Sequence, residues 1–404
     1  MRILFVTARF PAPPLKGDQL RANHQLRLLS QRHQVTVLSF DEGATPQARA
    51  EIEAWCEEVV TLPLSRGAML GGVLRGLASP LPRQTSLYQV PEMGCAVRQL
   101  LARGRFDMAH VQLARMSPYL EAASLPRVLD LVDALSLNML RRAGSEAGRG
   151  GALKRRLFAA EGQRMLAYER QLCRSFEAVT VVSPVDKAAI GAPDDVAHKL
   201  HVNPNGVNLD AFAFRGPEAR EPQTLVFSGN MGYFPNVQAV LWFAREVLPL
   251  VKAQCPDVRL LIAGNKPAPE VCALAEDPCV TVTGYVADMS EVLARATAAI
   301  VPMRSGSGIQ NKVIEAMACG TPVVATPHAL GGVAAQPGTH LLCASEPSDF
   351  ARETVRLLQD APLRYELACA AHRLVEERYT WEGAVAGLEE IYGQAIATRS
   401  SVTS

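Results

Sequence analysis

Apolar runs of strand length alternate with helix-like segments along almost the whole chain. The first run, Arg2–Ala8, is followed by a Pro- and Gly-rich loop and a helix-like segment over residues 18–33, and residues 34–40 form the next run. Strands of a parallel sheet are apolar throughout because helices cover both faces. Repeated strand–helix units therefore predict an α/β fold built on doubly wound parallel sheets.

The alternation is interrupted once, near the middle of the chain. A short run around Leu200 ends in turn residues at 203–206, and residues 217–222 are rich in proline and charged groups. Strand-like runs begin again at Thr224, which indicates a second domain of the same kind. We expect a Rossmann-like domain over residues 1–207, a second over 208–380, and a final helix with a disordered tail over 381–404.

The near balance of positive and negative residues argues against nucleic acid as a partner. The 404 residues include 41 lysines and arginines against 40 aspartates and glutamates, and 48% of all residues are hydrophobic. Such a composition is typical of a folded protein and gives no overall field that would attract nucleic acid. We see no apolar run long enough to span a membrane and no export signal, and therefore expect a cytoplasmic protein.

The cysteines and histidines form no pattern typical of a metal site. Nine cysteines are scattered without a CxxC pair, and the eight histidines lack HxxxH or HExxH spacing. We therefore expect buried free thiols, and neither a metal ion nor another cofactor.

The loop after the first strand-like run is the first candidate for binding a ligand. Gly17 precedes a helix whose free N–H groups would favour an anion. The loop lacks the GxGxxG spacing of dinucleotide-binding folds, which argues against a nicotinamide enzyme. Alternatively, Gly17 only serves the turn and Asp18 only caps the helix.

A second loop, after the apolar run Ala298–Met303, has more features of a phosphate site. Small residues lead into a helix, so the backbone amides of residues 307–309 are predicted to point at a phosphate. Arg304 and Lys312 would supply positive charge nearby. Glu315, one helical turn after Lys312, either pairs with that lysine on a solvated face or accepts two ribose hydroxyls.

Several motifs in this order resemble the retaining GT-B glycosyltransferases of family 4, and among them bacterial enzymes of exopolysaccharide assembly. The resemblance extends over residues 2–395 and implies two Rossmann-like domains that face a cleft. It is carried by the Gly17 loop, by residues 204–208 and 282–286, by Phe-Ser-Gly-Asn-Met at 227–231 and by Gly-Ile-Gln-Asn-Lys-Val-Ile-Glu at 308–315.

The resemblance implies that the second domain binds a nucleoside-diphosphate sugar. Glu315 matches the second glutamate of the family's E-x7-E signature, which would hold the ribose, whereas Ser307 replaces the first. The predicted donor-binding residues are Gly17, Gly229, Asn230, Tyr285, Val286, Ser307, Gly308, Ile309, Gln310 and Glu315.

Two cations that the family uses to neutralise the diphosphate are missing from this chain. The segment Ser228-Gly229-Asn230 stands in place of the arginine, and Pro235-Asn236 falls where the lysine would be. A leaving diphosphate still needs compensating charge. We therefore expect Lys312, together with Arg304, to stabilise the leaving group.

One residue of the first domain is also predicted to act in catalysis. Asp133 follows a strand-like run at the position where many relatives have a histidine. Its carboxylate would orient the acceptor or a hydroxyl of the donor sugar; alternatively, it caps a helix. His110 ends another strand, but a lone histidine at such a point is more often structural.

Residues 141–174 contain nine basic and three acidic residues, a local charge of +6. Leu153, Leu157, Phe158 and Leu166 are interleaved with them. This pattern indicates either a helix lying on an anionic membrane surface or a solvated helix.

Together these features predict a retaining hexosyltransferase of exopolysaccharide and biofilm synthesis. It would move a hexose from a nucleotide sugar to a lipid-linked oligosaccharide, as a cytoplasmic protein that binds peripherally at the inner membrane. GDP-mannose and UDP-glucose are the candidate donors, and no nucleic-acid partner is expected. The alternatives are a nucleotide-sugar epimerase on the same fold and a non-catalytic nucleotide-binding partner.

Overall fold

A computed structural model describes residues 1–403 apart from residues 66, 68, 70, 73–78, 80, 146–150 and 307. The chain divides into two compact units. The first domain comprises Met1–Pro204 together with Ala384–Ser404, and the second domain comprises Asn205–Gly383. Each domain is built on a parallel sheet, which confirms the predicted α/β class.

The sheet of the first domain has the strand order β3-β2-β1-β4-β5-β6-β7, and every neighbouring pair is parallel. Its strands are β1 (Arg2–Thr7), β2 (Gln34–Asp41), β3 (Glu58–Pro63), β4 (Met108–Gln112), β5 (Arg127–Val132), β6 (Ala178–Val181) and β7 (Leu200–Val202). The described helices are α1 (Gly17–Leu29), α2 (Pro46–Glu53), α3 (Arg83–Ser86), α4 (Pro91–Arg103), α5 (Leu135–Ser145), α6 (Gly151–Ser175) and α7 (Pro184–Ile190).

The sheet of the second domain has the order β10-β9-β8-β11-β12-β13, again with parallel neighbours. Its strands are β8 (Glu221–Ser228), β9 (Arg259–Ala263), β10 (Val280–Gly284), β11 (Ala296–Val301), β12 (Val323–Ala325) and β13 (Leu342–Cys343). The helices are α8 (Phe234–Trp242), α9 (Leu248–Lys252), α10 (Pro269–Cys272), α11 (Met289–Arg295), α12 (Asn311–Ala318), α13 (Pro327–Leu330), α14 (Pro347–Gln359), α15 (Ala361–Arg378) and α16 (Trp381–Thr403).

Both sheets are covered on their two faces. All six residues of β11 are buried, as are the last five of β1. Because the strands of each sheet are parallel, their carboxyl ends lie along one edge, and ligands of such sheets bind at that edge. The candidate residues are on the loops that leave these edges.

The segment after β8 is not the single helix that the sequence predicts over residues 236–254. Helix α8 ends at Trp242, a π-helical turn covers Phe243–Val247, and α9 begins at Leu248. Pro249 has no N–H, and its ring would meet the carbonyl of Arg245 in a regular helix. A wider turn before the proline avoids that contact.

A buried ion pair joins α1 to β5 in the first domain. The Arg21 Nε donates to the Asp130 Oδ2 over 2.5 Å, and neither side chain is exposed to solvent. Gln25 donates to the same oxygen over 3.1 Å. Burial alone would raise the pKa of Asp130, but the attraction of Arg21 lowers it.

The end of the chain is helical through Thr403, where the sequence predicts a disordered tail. Helix α16 begins at Trp381 and continues to Thr403, and its residues from Ala384 onward belong to the first domain. The Arg399 Nη1 donates to the Glu177 Oε1 over 3.0 Å, and the Thr398 hydroxyl bonds back to the Gln394 carbonyl. These contacts fix a segment whose polar composition alone predicts disorder.

The nine cysteines are free thiols, but they are not all buried. Cys95 and Cys272 are exposed, so the expectation of buried thiols was wrong for these two. Both are on helices, at positions that face solvent rather than the sheet.

We expect that losing the buried Arg21–Asp130 ion pair lowers the free energy of unfolding more than losing a surface ion pair. Arg21→Met leaves the buried Asp130 charge without its partner, which typically costs about 3–5 kcal/mol. Arg32→Met is the matched control, because Arg32 pairs with Glu389 at the surface and such pairs contribute about 1 kcal/mol or less. Urea unfolding followed by circular dichroism measures both; equal losses of stability would contradict the assignment.

Candidate active site

Two neighbouring strand ends of the second domain bring the candidate cation and its contacts together. Strand β8 lies beside β11, and both lead into loops at the carboxyl edge of the sheet. Lys312, in the first turn of α12, donates from Nζ to the Asn236 Oδ1 over 2.7 Å. The Met303 Sδ lies 3.7 Å from the same nitrogen, and the Phe227 ring centroid lies 5.1 Å from it.

The Lys312 ammonium therefore has neutral neighbours. Among the described residues no carboxylate lies within ion-pair distance of it. Burial lowers the pKa of Lys312 to about 8, against a weaker opposing attraction from Glu315. A positive charge held in this way is available to an anionic ligand at neutral pH.

Glu315 lies one turn further along α12, half-buried. Within the described part of the chain its carboxylate makes no hydrogen bond or ion pair, so the alternative of a Lys312–Glu315 pair is not what the structure has. Burial raises the pKa of Glu315 to about 7, and the Lys312 charge opposes that rise. The carboxylate is placed to accept hydrogen bonds from a ligand.

Glycines allow the strand ends to approach closely at this edge. Gly229 has φ +147°, and a Cβ there would lie 2.8 Å from the Asn236 Nδ2 and 3.3 Å from the Lys312 Cε. Gly264 has φ +148°, and a Cβ there would lie 1.6 Å from the Gly229 carbonyl oxygen. Any larger residue at either position would push these loops apart.

The other predicted cation of this domain has a different environment. Arg304 is exposed, and its guanidinium lies over the Trp242 ring, 5.4 Å from the ring centroid. Such cation–π contacts restrain a side chain without removing its charge. Arg304 is thus positioned by an aromatic ring, whereas Lys312 is positioned by an amide.

The loop between β11 and α12 contains the predicted phosphate-binding residues. Gly308 has φ +71°, and Ile309 is buried. The helix begins at Asn311, with Gln310 at the N-cap position but without a side-chain capping bond, two residues later than the sequence indicates. Ser307 lies outside the described residues.

The remaining predicted donor residues are near the ends of β8 and β10. Asn230 is exposed, and its carbonyl accepts from the Asn236 Nδ2 over 2.9 Å. Tyr285 is 74% exposed and follows Gly284, which has φ +68°, while Val286 is half-buried. Tyr285 therefore presents an aromatic ring to solvent directly after a strand end.

Asp133 lies at the corresponding edge of the first domain's sheet, half-buried after the last residue of β5. The preceding residue, Val132, has φ +65°, a rare conformation for a β-branched residue. Burial raises the pKa of Asp133 to about 7, and the nearby Asp186 carboxylate raises it further. The carboxyl group is therefore close to half-protonated at neutral pH.

Asp133 is not the cap of helix α5. The Ala134 N–H donates to the Asp186 Oδ1 over 3.1 Å, and the Ser136 N–H donates to the Glu169 Oε1 over 3.2 Å. Two carboxylates from α6 and α7 thus take the free amides of the helix start. This leaves Asp133 without a capping role, contrary to the alternative considered from the sequence.

Gly17 is the first residue of α1 and is exposed, and a Cβ there would meet nothing within 4 Å. Asp18 forms an ion pair with Arg9, and the helix has no side-chain cap. Space around Gly17 is therefore open to a ligand, although the protein itself does not require glycine there.

His110 is a core residue. It is fully buried, its ring stacks on Phe5 with centroids 4.3 Å apart, and its Nδ1 lies 2.8 Å from the Tyr392 hydroxyl. Burial lowers the pKa of His110 to about 4, so the ring is neutral at physiological pH. These contacts agree with the structural role that its sequence position favours.

Sequence reasoning missed Asp186 and Glu169 as parts of these sites, and it named Asn236 only as the replacement of a lysine, without its contact with Lys312. The only signal for Asp186 is the capping-box spacing from Ser183. Asn236 and Glu169 carry no local signal, because each acts on an element that is adjacent only in the folded sheet. In the described part of the chain no group of three or more His, Cys, Asp or Glu side chains is arranged to hold a metal ion.

Comparison with known proteins identifies both domains. Residues 18–206 match the model described as Glycosyl transferase 4-like domain, and residues 222–360 match the model described as Glycosyl transferases group 1. HepE from Anabaena, solved in complex with UDP-glucose, aligns with a TM-score of 0.65 at 16% identity, covering 99% of this chain and all of that one. The chain has the GT-B fold, and both of its domains match glycosyltransferase families.

Curated relatives of this chain align over different lengths. A D-inositol 3-phosphate glycosyltransferase of Salinispora arenicola is 42% identical over 21% of this chain. An uncharacterized 44.6 kDa protein of the Klebsiella pneumoniae cps region is 24% identical over 38%. These two alignments span 19% and 42% of the relatives' lengths. A phosphatidyl-myo-inositol mannosyltransferase of Mycolicibacterium smegmatis is 26% identical over 78% of this chain and 79% of its own length.

We expect the protein to contain one lysine with an unusually low pKa. In NMR detection of 15N-labelled lysine side chains, Lys312 should titrate near pH 8, whereas Lys252, bonded to Asp277, should have a raised pKa. Glu315→Gln removes an attraction that favours the charged lysine, so it should lower the Lys312 pKa further. A Lys312 pKa that rises in this variant, or that is ordinary in the wild type, would refute this description of the site.

Proposed function

We propose that this glycosyltransferase moves a hexose from a nucleoside-diphosphate sugar to a lipid-linked oligosaccharide, with retention of the anomeric configuration, in exopolysaccharide assembly. The observation that carries the proposal is the placement of Glu315 and Lys312 one turn apart on α12, at the carboxyl edge of the second sheet. The Glu315 carboxylate has no protein partner and can accept hydrogen bonds from both hydroxyls of a ribose. The Lys312 ammonium has neutral hydrogen-bond partners and can donate to the oxygens of a diphosphate.

In the proposed reaction, Lys312 acts on the leaving group. As the bond between the sugar and the diphosphate breaks, negative charge grows on the departing phosphate oxygens. An ammonium already fixed in place stabilises that charge without reorganisation. Arg304, restrained over Trp242, is the second source of positive charge.

Asp133 is proposed to orient a hydroxyl of the acceptor or of the donor sugar. Its raised pKa means that both protonation states are present at neutral pH, so it can accept a hydrogen bond or exchange a proton. The two carboxylates that cap α5 are already engaged and do not compete for this role.

Named relatives indicate which donors and which pathway to test. HepE was solved with UDP-glucose, and the M. smegmatis relative is a mannosyltransferase, so UDP-glucose and GDP-mannose are the two donors to test first. The Klebsiella relative of the cps region supports a role in surface polysaccharide assembly.

A donor screen tests the proposed function. UDP, GDP, ADP and TDP are compared for their effect on the melting temperature, since a ligand that binds only the folded state raises it. The sugar nucleotides of the base that binds are then incubated with the enzyme in water. Slow hydrolysis that keeps the anomeric configuration supports a retaining transferase; interconversion of sugars would indicate an epimerase, and binding without turnover a non-catalytic partner.

Glu315→Ala tests the ribose contact directly. Loss of a hydrogen bond to a charged group should weaken binding of the nucleotide identified by the screen by about 1.5–3 kcal/mol in calorimetric titration. Glu376→Ala, at an exposed position on α15, is the matched control and should bind normally. Unchanged affinity in a folded Glu315→Ala protein would remove Glu315 from the site.

A membrane-facing surface is proposed at the start of helix α6. All six residues Ala152–Leu157 are exposed, and the exposed fractions of Leu153 and Leu157 are 67% and 49%. Lys154, Arg155 and Arg156 lie between these leucines, while Phe158 is covered by the Arg142 guanidinium. No helix in the described part of the chain has the length and apolarity to cross a bilayer. Part of the basic stretch, residues 146–150, lies outside the described residues.

We expect the enzyme to bind vesicles of phosphatidylcholine and phosphatidylglycerol more tightly than vesicles of phosphatidylcholine alone. Basic residues near an anionic surface contribute about 1 kcal/mol each, so changing Lys154, Arg155 and Arg156 to Gln should reduce sedimentation with the anionic vesicles. The same change at Arg352, Arg356 and Arg378 is the control. Equal recovery with both vesicle types would favour the solvated helix.

A further inference from the structure

Asn236 makes two hydrogen bonds of opposite sense with its side-chain amide. The Nδ2 donates to the Asn230 carbonyl over 2.9 Å, and the Oδ1 accepts from the Lys312 Nζ over 2.7 Å. An ammonium has no acceptor, so the amide oxygen must face Lys312, and its orientation is fixed. The residue is 5% exposed and lies in the first turn of α8.

The type of side chain at residue 236 determines whether the charge of Lys312 is neutralised by its hydrogen-bond acceptor. An aspartate of the same shape would hold Lys312 equally well but would cancel its charge. An apolar side chain would leave the buried ammonium without its acceptor, which is costly. An amide oxygen orients the ammonium and leaves its charge uncompensated.

The backbone around Gly229 keeps this arrangement at the strand edge. A side chain at Gly229 would collide with the Asn236 amide and press on the Lys312 stem. The amide and the ammonium therefore pack directly against the backbone at the end of β8, where a ligand of the sheet would lie.

We propose that Asn236 is a positioning residue that holds the Lys312 ammonium, uncompensated, at the place where the diphosphate of the nucleotide binds. This inference rests on the proposed function, since it concerns the same site. It adds that the specificity of this edge for a diphosphate depends on a neutral acceptor at residue 236 and not only on the lysine.

The first experiment changes the charge of residue 236 and keeps its shape. Asn236→Asp should weaken binding of UDP and GDP at least tenfold, while uridine and guanosine, which lack phosphate, should bind within twofold of the wild type. Gln254→Glu, the same amide-to-carboxylate change at an exposed position after α9, should leave all four affinities unchanged. Unchanged affinity of Asn236→Asp for both diphosphates would overturn the proposal, and so would an equal loss for nucleosides and diphosphates.

The second experiment removes the positive charge from residue 312 and places it at residue 236. Lys312→Met should lower turnover of the donor by about two to three orders of magnitude, as loss of one transition-state electrostatic partner does. Because the two polar atoms are 2.7 Å apart, a lysine at residue 236 can place its ammonium close to the original position. The double variant Lys312→Met with Asn236→Lys should therefore recover at least tenfold of the lost turnover.

The two arms separate failure of the inference from failure of the proposed function. If the wild-type chain binds none of UDP, GDP, ADP and TDP, the proposed function fails and this inference fails with it. If the wild type binds a diphosphate but the double variant is no more active than a folded Lys312→Met protein, only the role of Asn236 is refuted. If Asn236→Asp does not fold, the turnover of the double variant still tests the proposal.

Discussion

The hydrogen bond from the Lys312 ammonium to the Asn236 amide links the loops that leave two neighbouring strands of the second domain. The parallel order of β8 and β11 brings those loops to one edge, and Gly229 leaves the space in which they meet. The position of Glu315 follows, since it is one turn further along the same helix. The Lys312 ammonium and the Glu315 carboxylate are thus spaced by helix geometry alone.

The first domain has the opposite electrostatic character at its own carboxyl edge. Three carboxylates, Asp133, Asp186 and Glu169, gather around the start of α5, and two of them bond to its free amides. Burial raises the pKa of the third, Asp133, to about 7, and it raises the pKa of Glu169 to about the same value. Below it, the buried Arg21–Asp130 pair holds α1 against β5, so the strand that presents Asp133 is fixed from the side of the core.

Much of the fold is predictable because strand and helix periodicities are local properties of the sequence. Ligands bind at the carboxyl ends of parallel strands, and this rule predicts that the candidate residues lie after β1, β8, β10 and β11. What the sequence does not contain is the order of strands across the sheet, which decides that Asn236 rather than Glu315 contacts Lys312. The anchoring of the last helix through Arg399 likewise depends on a partner distant in the chain, whereas the helix break before Pro249 has a local cause.

Each domain has one cysteine that is open to solvent, Cys95 on α4 and Cys272 on α10. The chain thereby carries a native pair of attachment points for spin labels or fluorophores, one per domain. Four other thiols are buried and three, Cys279, Cys343 and Cys369, are half-buried, so replacing these three leaves the exposed pair as the accessible sites. Interdomain distances in the presence and absence of nucleotide become measurable without introducing a residue into either candidate site.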